Sequence, residues 1–355
     1  MVNIDSVRHR KPTTMKGDIM NRKRFYSISL VLVLLLTMSS LPILAGTAHA
    51  KKVTIKAISA WPTNEVSVAD DYLVFIKKAN EQLQAKHPGE AEIVYIGGPE
   101  VIPTRNQPES LRQGVVHMYF GSDAYYAGIA PAANSSRLSQ LYSWEEEERG
   151  ADAIFNEIHQ KKLNSYYLGR LASEFGFQLY LNKPVKTPED IKGLRIRVSP
   201  IYLEFMNSIG AAPVDTSPGD IYQALERGVV DGFIWPFYTI RTWGWHEVSK
   251  YVVGPQFYKV CHPILINMDV WNQLSKPVQQ TLHDVLRQEA RLAAERDANK
   301  VAEEKELLQK AGMQFITFSD ADTKRYLDMA YDSAWEGMVK KAPDYAPKLR
   351  KVLTK

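Results

Sequence analysis

Apolar positions change from a two-residue to a helical spacing and back along the start of the chain's main body. Residues 53–58 form an apolar-rich run typical of a strand, and residues 68–86 carry apolar side chains at near-helical spacing. The breaker at residues 87–89 ends the predicted helix, and residues 91–96 predict a second strand. Strand, helix and strand in succession favour an α/β fold.

A unit of helix, glycine and strand occurs twice, with the glycines of the two copies 114 residues apart. The first copy spans residues 108–120 and the second spans residues 217–234. Gly114 and Gly228 stand where a left-handed helix end favours glycine. We interpret the two copies as equivalent elements of two α/β lobes. The alternative is a chance recurrence of a common motif.

A charged strand follows a capped turn in the middle of the chain. Residues 187–193 predict one helical turn that stops at a glycine, and residues 194–199 predict the strand that it feeds. Alternation places Arg197 on the face opposite the core. A guanidinium held by a strand can bind a carboxylate through two parallel hydrogen bonds. The alternative is an ordinary surface arginine.

An aromatic side chain ends the strand of the second repeat copy. Trp235 stands there and is followed by Pro236. Open α/β sheets bind ligands just beyond the carboxyl ends of their strands. Trp235 is therefore a candidate ligand contact, and a place in the core is the alternative.

The last part of the chain has the pattern of a long helix. Residues 275–312 contain no helix breaker after the first turn, and Ser275 is a suitable N-cap. At about 1.5 Å per residue, a single helix of this length would reach about 50 Å and could pack across both lobes. Two shorter helices with a kink near residues 297–299 are the alternative.

The basic charge belongs to the first 50 residues. This segment holds seven Lys or Arg and two Asp, whereas the remaining residues hold 37 basic and 38 acidic side chains. The main body therefore lacks the positive charge typical of nucleic-acid binding. Residues 21–24 are basic, residues 28–36 are apolar, and residues 48–50 form a small-x-small cleavage site. The pattern predicts a cleaved signal peptide.

Two alternatives remain open for this leader. It can be an uncleaved anchor, and residues 1–19 can be an upstream extension if Met20, not Met1, is the start. The chain has one cysteine, Cys261, so no disulfide can form within it, and we expect a small buried side chain. Since no cysteine follows the apolar run for lipid attachment, we expect export to a periplasm.

Enzyme motifs are absent from the sequence. There is no His-Glu-x-x-His, no paired cysteine spacing, no phosphate-binding glycine loop and no Gly-x-Ser-x-Gly. His246 and His262 are more simply satisfied polar groups than metal ligands. The run of four glutamates at residues 145–148 predicts a solvated helix face.

Three central segments resemble a known receptor family. They are Thr-Pro-Glu-Asp-Ile-Lys-Gly-Leu-Arg-Ile-Arg-Val from residue 187, Ile-Gly-Ala-Ala-Pro-Val from residue 209, and Ile-Tyr-Gln-Ala-Leu-Glu-Arg-Gly-Val-Val-Asp-Gly from residue 221. They are similar to the DctP-like substrate-binding proteins of tripartite ATP-independent periplasmic (TRAP) transporters. The likeness extends over the whole main body of the chain.

The resemblance implies a two-lobed α/β periplasmic binding protein with a ligand cleft between the lobes and a long C-terminal helix that spans both. On that basis we expect a signal peptide at residues 1–50. We expect residues 51–174 plus about 261–298 in the first lobe, and residues 175–260 plus about 299–355 in the second. It also implies a periplasmic receptor that captures an organic acid and passes it to integral-membrane TRAP subunits.

The resemblance also implies roles for individual residues. Arg197 matches the family's carboxylate-binding arginine, and Trp235 stands where members that bind keto or hydroxy acids often have tryptophan. Gln178 replaces a second arginine found in many members. The expected ligand-binding residues are Arg197, Gln178, Trp235, Asn64, Trp61, Ser122, Asp123 and Arg105.

Some members with this tryptophan bind their acid with a metal ion and use an adjacent glutamate. Here that neighbour is Ile234, so we expect no cofactor, and a metal ion that bridges the ligand is the alternative. Two other functions remain as alternatives. One is a periplasmic enzyme that acts on an organic acid, and the other is the ligand-capture partner of a sensor.

Overall fold

A computed structural model describes residues 52–171 and 175–355. The predicted leader lies outside the described residues. Within them the strands are β1 Val53–Ser59, β2 Ala91–Gly97, β3 Met118–Phe120, β4 Ser165–Leu171, β5 Phe177–Leu181, β6 Arg195–Val198, β7 Ala212–Asp215, β8 Gly232–Pro236, β9 Tyr251–Phe257, β10 His262–Asn267 and β11 Gln314–Thr317.

The helices connect these strands and cover the faces of two sheets. The α-helices are α1 Leu73–Lys86, α2 Gln107–Arg112, α3 Ser143–Glu148, α4 Ala151–Leu163, α5 Leu203–Ser208, α6 Ile221–Glu226, α7 Met268–Trp271, α8 Lys276–Lys310, α9 Asp320–Lys341 and α10 Ala346–Leu353. A π-helical turn at Val68–Tyr72 precedes α1, and several short 3-10 helices lie in the connections.

Each sheet forms the centre of one lobe. The first sheet has the strand order β2-β1-β3-β10-β4, with β1 parallel to β2 and β3, and with β10 antiparallel to its two neighbours. The second sheet has the order β11-β9-β5-β8-β6-β7, in which β8, β6 and β7 are parallel. The fold is therefore the expected two-lobed α/β architecture.

The repeated unit occupies equivalent places in the two lobes. Its strands are β3, between β1 and β10, and β8, between β5 and β6. Gly114 and Gly228 have φ angles of 73° and 64°, in the left-handed region where glycine avoids a Cβ clash. Val115 and Val229 make the same backbone hydrogen bond to the helix carbonyl five residues earlier. The equivalence predicted from the repeat is thus present in the fold.

The long helix α8 is continuous over 35 residues. Its N-terminal half packs on α1 and β4 of the first lobe, and its C-terminal half contacts the Phe237–Thr239 turn of the second. The single helix is therefore confirmed, and the kinked alternative is wrong. Because Val278, Leu282 and Leu286 are buried along one face, packing sustains the helix beyond what propensity alone would support.

The N-cap of α8 provides a test of this helix. The Ser275 hydroxyl accepts a hydrogen bond from the Val278 amide at 3.4 Å. We expect Ser275→Ala to lower the free energy of unfolding by about 1 kcal/mol, measured by urea denaturation. Ser217→Ala is the matched control, because Ser217 stands at a helix start but its side chain makes no capping hydrogen bond. Equal losses in the two variants would contradict the assignment.

The lobe boundaries expected from the sequence stay a prediction. Helix α9 packs on α5 and β9 of the second lobe and also on the Pro131–Leu138 segment of the first. Helix α10 packs on that segment and on α4. The end of the chain therefore contacts both lobes. No helix among the described residues combines the length and the hydropathy needed to cross a bilayer.

Candidate functional site

A cavity lies between the lobes, where strands of both sheets end. The wall includes Trp61 after β1, Ser122 after β3, Ser199 after β6 and Pro236 at the end of β8. The space inside is about 580 Å³, including its open mouth. The residues around it are Trp61, Glu65, Ser122, Asp123, Ala124, Tyr125, Arg137, Phe175, Phe177, Ser199, Ile201, Tyr202, Trp235, Pro236, Thr239, Lys259, Cys261 and His262.

Arg197 is buried beside this cavity, near Trp235 of its wall. It is 1% exposed, and its Nε and Nη2 atoms donate to the Thr216 carbonyl at 3.0 and 2.6 Å. Its Nη1 atom is buried and has no hydrogen-bond partner. The guanidinium carbon is 5.5 Å from the centre of the Trp235 ring, a cation–π distance. Two donors fix the side chain, and a third is left for a ligand.

Burial makes this cation unusual. Loss of solvent lowers the pKa of Arg197 from its ordinary value, while Tyr125, Tyr202 and Asp215 act in the opposite direction. A guanidinium stays protonated at any physiological pH. An isolated charge in a protein interior is costly unless it is paired, so an anion at Nη1 would be strongly favoured.

Aromatic residues form much of the cavity wall. Trp61 donates from Nε1 to the Tyr125 hydroxyl at 3.1 Å, so the hydroxyl proton of Tyr125 can be donated elsewhere. Trp235 donates from Nε1 to Thr239 Oγ1, which fixes the indole plane. His262 packs on Trp61 with ring centres 4.5 Å apart. The wall is therefore a preorganised apolar surface with a few directed polar groups, as ligand pockets require.

Two buried carboxyl groups also line the cavity. Glu65 accepts hydrogen bonds on Oε2 from the Ser67 amide at 2.9 Å and from the Ser67 hydroxyl. Burial nevertheless raises the pKa of Glu65 to about 7. Asp123 accepts from the Ser136 hydroxyl, and burial raises the pKa of Asp123 to about 6, against the effect of Arg137.

The pKa of Glu65 predicts a pH-dependent stability. Because folding raises this pKa from 4.5 to about 7, the folded protein binds more protons than the unfolded chain between these values. The contribution of Glu65 therefore falls as pH rises from about 4.5 to 7 and is constant above. We expect the melting temperature of Glu65→Gln minus that of wild type to be larger at pH 8 than at pH 4.5. An offset that is the same at both pH values would contradict this.

The remaining polar wall residues are held by the protein itself. Arg137 donates to the Asn134 carbonyl, and its guanidinium lies 5.1 Å from the centre of the Tyr258 ring. Lys259 donates to the Leu141 carbonyl at 2.7 Å. Burial lowers the pKa of His262 to about 3, so its ring is neutral. Burial also raises the pKa of Cys261 to about 12, which leaves an unreactive thiol.

The structure places the predicted ligand-binding residues in three groups. Four of them line the cavity: Trp61, Ser122, Asp123 and Trp235. Arg197 and Gln178 are buried beside it, where Gln178 pairs in register with Trp235 and its Oε1 atom has no hydrogen-bond partner.

Asn64 and Arg105 have other surroundings. Asn64 is exposed and is not part of the wall, whereas its neighbour Glu65 is part of the wall. Arg105 is exposed and pairs with Asp215 of the second lobe at 2.9 Å. Their roles in ligand binding stay predictions.

Several wall residues were not predicted from the sequence. Tyr125 and Tyr202 occur in short 3-10 helices after β3 and β6, whose turns no periodicity announces. Arg137 lies in the Pro131–Leu138 segment, also a 3-10 helix. For Glu65 the sequence did contain a signal, because this residue directly follows Asn64, which was selected.

A metal centre finds no support in the arrangement of side chains. Over residues 52–171 and 175–355, no group of three or more His, Cys, Asp or Glu is placed to hold a metal ion. His246 and His262 lie in different surroundings, since His262 lines the cavity and His246 lines a separate groove beside α8.

Comparison with known proteins identifies relatives along most of the chain. The chain is 25% identical over 319 residues to the 2,3-diketo-L-gulonate-binding periplasmic protein YiaO of Escherichia coli, covering 87% of this chain and 95% of that protein. It is 24% identical over 202 residues to a monocarboxylate 2-oxoacid-binding periplasmic protein of Nostoc, covering 54% and 55%.

Solved structures share the fold. A TRAP periplasmic solute-binding protein from Desulfovibrio salexigens with bound orotic acid has a TM-score of 0.75 and 19% identity, covering 85% of this chain and 97% of that one. One from Haemophilus influenzae with bound L-gulonate has a TM-score of 0.70 and 19% identity, covering 85% and 100%.

The model of one protein family matches residues 65–341, a span that includes every described strand after β1 and every wall residue except Trp61. The match therefore covers the fold and the candidate site together, and the chain belongs to the DctP family, the bacterial extracellular solute-binding proteins of family 7.

Proposed function

We propose that this protein is the periplasmic receptor of a TRAP transporter and that it captures an organic acid through Arg197. The observation that carries the proposal is the buried Nη1 atom of Arg197, which has no partner although the rest of the guanidinium is held. A carboxylate oxygen satisfies this donor and compensates the charge at the same time. Two of the relatives are named for the acids that they bind, 2,3-diketo-L-gulonate and monocarboxylate 2-oxoacids, which agrees with this chemistry.

In the proposed mechanism, an acid enters between the lobes and its carboxylate binds Arg197. The Tyr125 hydroxyl donates a further hydrogen bond, and Gln178 and Ser122 bind the remaining oxygens. Trp61 and Trp235 cover the apolar part of the ligand. Closure is favoured because the closed lobes make contacts with the ligand that open lobes lack.

The ligand itself gives the first test. We expect native mass spectrometry of the purified protein to detect an organic acid that co-purifies. The acid should be recovered unchanged after incubation, whereas conversion to a product would favour an enzyme. A bound molecule without any carboxylate would contradict the proposal. Neighbouring genes for two multi-span membrane subunits would favour transport over a role as the capture partner of a sensor.

Periplasmic export is a separate proposal that rests on residues 21–50. Family relatives are periplasmic proteins, and the predicted cleavage site is at residues 48–50. We expect the mature protein in an osmotic-shock fraction to begin at Lys51. Detection of an intact leader in the membrane fraction would favour an uncleaved anchor.

A further inference from the structure

Arg137 is a second buried arginine at the ligand cavity. It lies in the 3-10 helix Pro131–Leu138 of the first lobe, lines the cavity and is 3% exposed. Its Nη1 atom donates to the Asn134 carbonyl at 2.5 Å, and the Tyr258 ring packs against the guanidinium. Its Nε atom is buried and has no hydrogen-bond partner. The side chain is therefore fixed in place with one donor unused.

The two arginines of the site use opposite parts of the guanidinium for their fixed hydrogen bonds. Arg197 donates from Nε and Nη2 to the Thr216 carbonyl and leaves Nη1 unpaired. Arg137 donates from Nη1 and leaves Nε unpaired. Because Nε and Nη2 lie on one side of a guanidinium, a carboxylate that binds Nε can reach Nη2 with its second oxygen. Arg137 therefore offers a suitable donor for an anionic group.

The acidic residues near Arg137 are engaged by other groups. None of the ion pairs found among the described residues includes Arg137. Asp123 acts on it electrostatically, but the Asp123 carboxylate accepts from the Ser136 hydroxyl. Glu204 lies with Arg137 on the wall of a neighbouring small cavity and pairs with Lys341. A buried cation without a close anion is unfavourable, so an anionic group of a ligand would stabilise it.

Tyr202 connects the positions of the two arginines. It lines the cavity and is 2% exposed. Burial raises the pKa of Tyr202 well above its ordinary value, while Arg197 and Arg137 both act to lower it. Both cations therefore lie within electrostatic reach of one wall residue, Arg197 on β6 of the second lobe and Arg137 on the first lobe.

Lys259 is the third cation of the wall, and its donors are engaged within the protein. Its Nζ atom donates to the Leu141 carbonyl at 2.7 Å and lies 5.3 Å from the centre of the Tyr142 ring. The unused buried donors among the cations at the cavity are therefore those of Arg197 and Arg137, within the residues that the structure describes.

We propose that Arg137 is a specificity-determining residue that binds a second carboxylate of the ligand, so that the receptor selects dicarboxylic acids. The inference rests on the proposed function, because it takes Arg197 as the anchor of the first carboxylate. One end of the acid binds Arg197 on the second lobe, the other end binds Arg137 on the first, and the ligand joins the lobes. A monocarboxylate leaves the Nε donor of Arg137 unsatisfied, which is unfavourable.

Matched pairs of acids provide the test. The probes are malate against 2-hydroxybutanoate, 2-oxoglutarate against 2-oxopentanoate, and adipate against hexanoate, so that the separation of the two carboxylates varies between pairs. Calorimetry measures each affinity. In at least one pair we expect wild type to bind the dicarboxylate about ten-fold or more tightly than its partner, because hydrogen bonds to a charged group are the strong ones.

Substitutions of Arg137 should remove this preference. Arg137→Gln should reduce the ratio to about three-fold or less by a loss of dicarboxylate affinity, because it removes the cation. Arg137→Lys keeps the charge but loses Nε, and should give an intermediate ratio. Arg112→Gln is the matched control, because Arg112 is an exposed first-lobe arginine that pairs with Glu109 at 2.7 Å, and it should keep the wild-type ratio.

The melting temperature of each ligand-free variant shows whether it folds. If Arg137→Gln does not fold, the ratios of wild type and Arg137→Lys decide the question. Equal affinities for the two members of every pair in wild type would overturn the inference. A ratio that is unchanged in a folded Arg137 variant would also overturn it.

If none of the probes binds, the co-purified acid decides the question. An acid with two carboxylates and one of them at Arg137 supports the inference. An acid with a single carboxylate at Arg197 overturns it, while the function of Arg197 as anchor stands. A bound molecule with no carboxylate contradicts the proposed function itself, so the two failures are distinguishable.

Discussion

Replacing Arg197 with alanine should weaken binding of the co-purified acid at least 30-fold. The side chain is buried and already fixed by the Thr216 carbonyl, so little of its binding energy is lost in ordering it. Removing one partner of a buried charge pair costs about 2–5 kcal/mol, which corresponds to this loss or more. Calorimetric titration of the acid into ligand-free protein measures it directly.

Arg195 is the matched control for this substitution. It lies two residues earlier on the same strand, but its side chain is exposed and pairs with Asp231 at 3.0 Å. Arg195→Ala should leave the affinity within about two-fold of wild type, because Arg195 is not among the residues around the cavity and its side chain is already paired with Asp231. Equal affinities of wild type and Arg197→Ala would remove the assigned anchor.

Replacing Glu146 with glutamine should cause the largest loss of stability. Glu146 accepts from Arg170 Nε at 2.9 Å and from Nη2 at 2.7 Å, and both side chains are almost completely buried. Without the carboxylate, Arg170 is a buried charge that has lost the ion pair shown for it in the described structure. Breaking such a pair costs about 3–5 kcal/mol, which urea denaturation measures as a lower free energy of unfolding.

An exposed pair shows what burial contributes. Lys324 and Asp328 are one helical turn apart on α9 and both are exposed. Asp328→Asn should change the free energy of unfolding by no more than about 0.5 kcal/mol. If the Glu146 and Asp328 variants lost similar stability, burial would not be the source of the effect.

The fold could be predicted well because its signals are local and repeated. The helix-glycine-strand units around Gly114 and Gly228 predicted equivalent elements in two lobes, and the sheets contain them in that way. The uninterrupted apolar face after Ser275 predicted a long helix, although its continuity through residues 297–299 is decided by packing on both lobes.

Features that depend on distant residues were predicted less well. The run at residues 145–148 has the composition of a solvated face, yet Glu146 is buried because Arg170, on β4, approaches it. The ion pair of Arg105 joins residues 110 positions apart on different lobes, and no local pattern indicates it. After β1, Glu65 is buried and forms part of the wall, whereas the adjacent Asn64 is exposed, and no local pattern distinguishes the two.

The most direct test is a crystal structure of the protein with its co-purified acid. We expect a carboxylate oxygen of the ligand at about 2.7–2.9 Å from Arg197 Nη1, with the acid enclosed between Trp61 and Trp235. An acid bound elsewhere, with Nη1 still unpaired or hydrogen-bonded only to water, would contradict the central role given to this arginine.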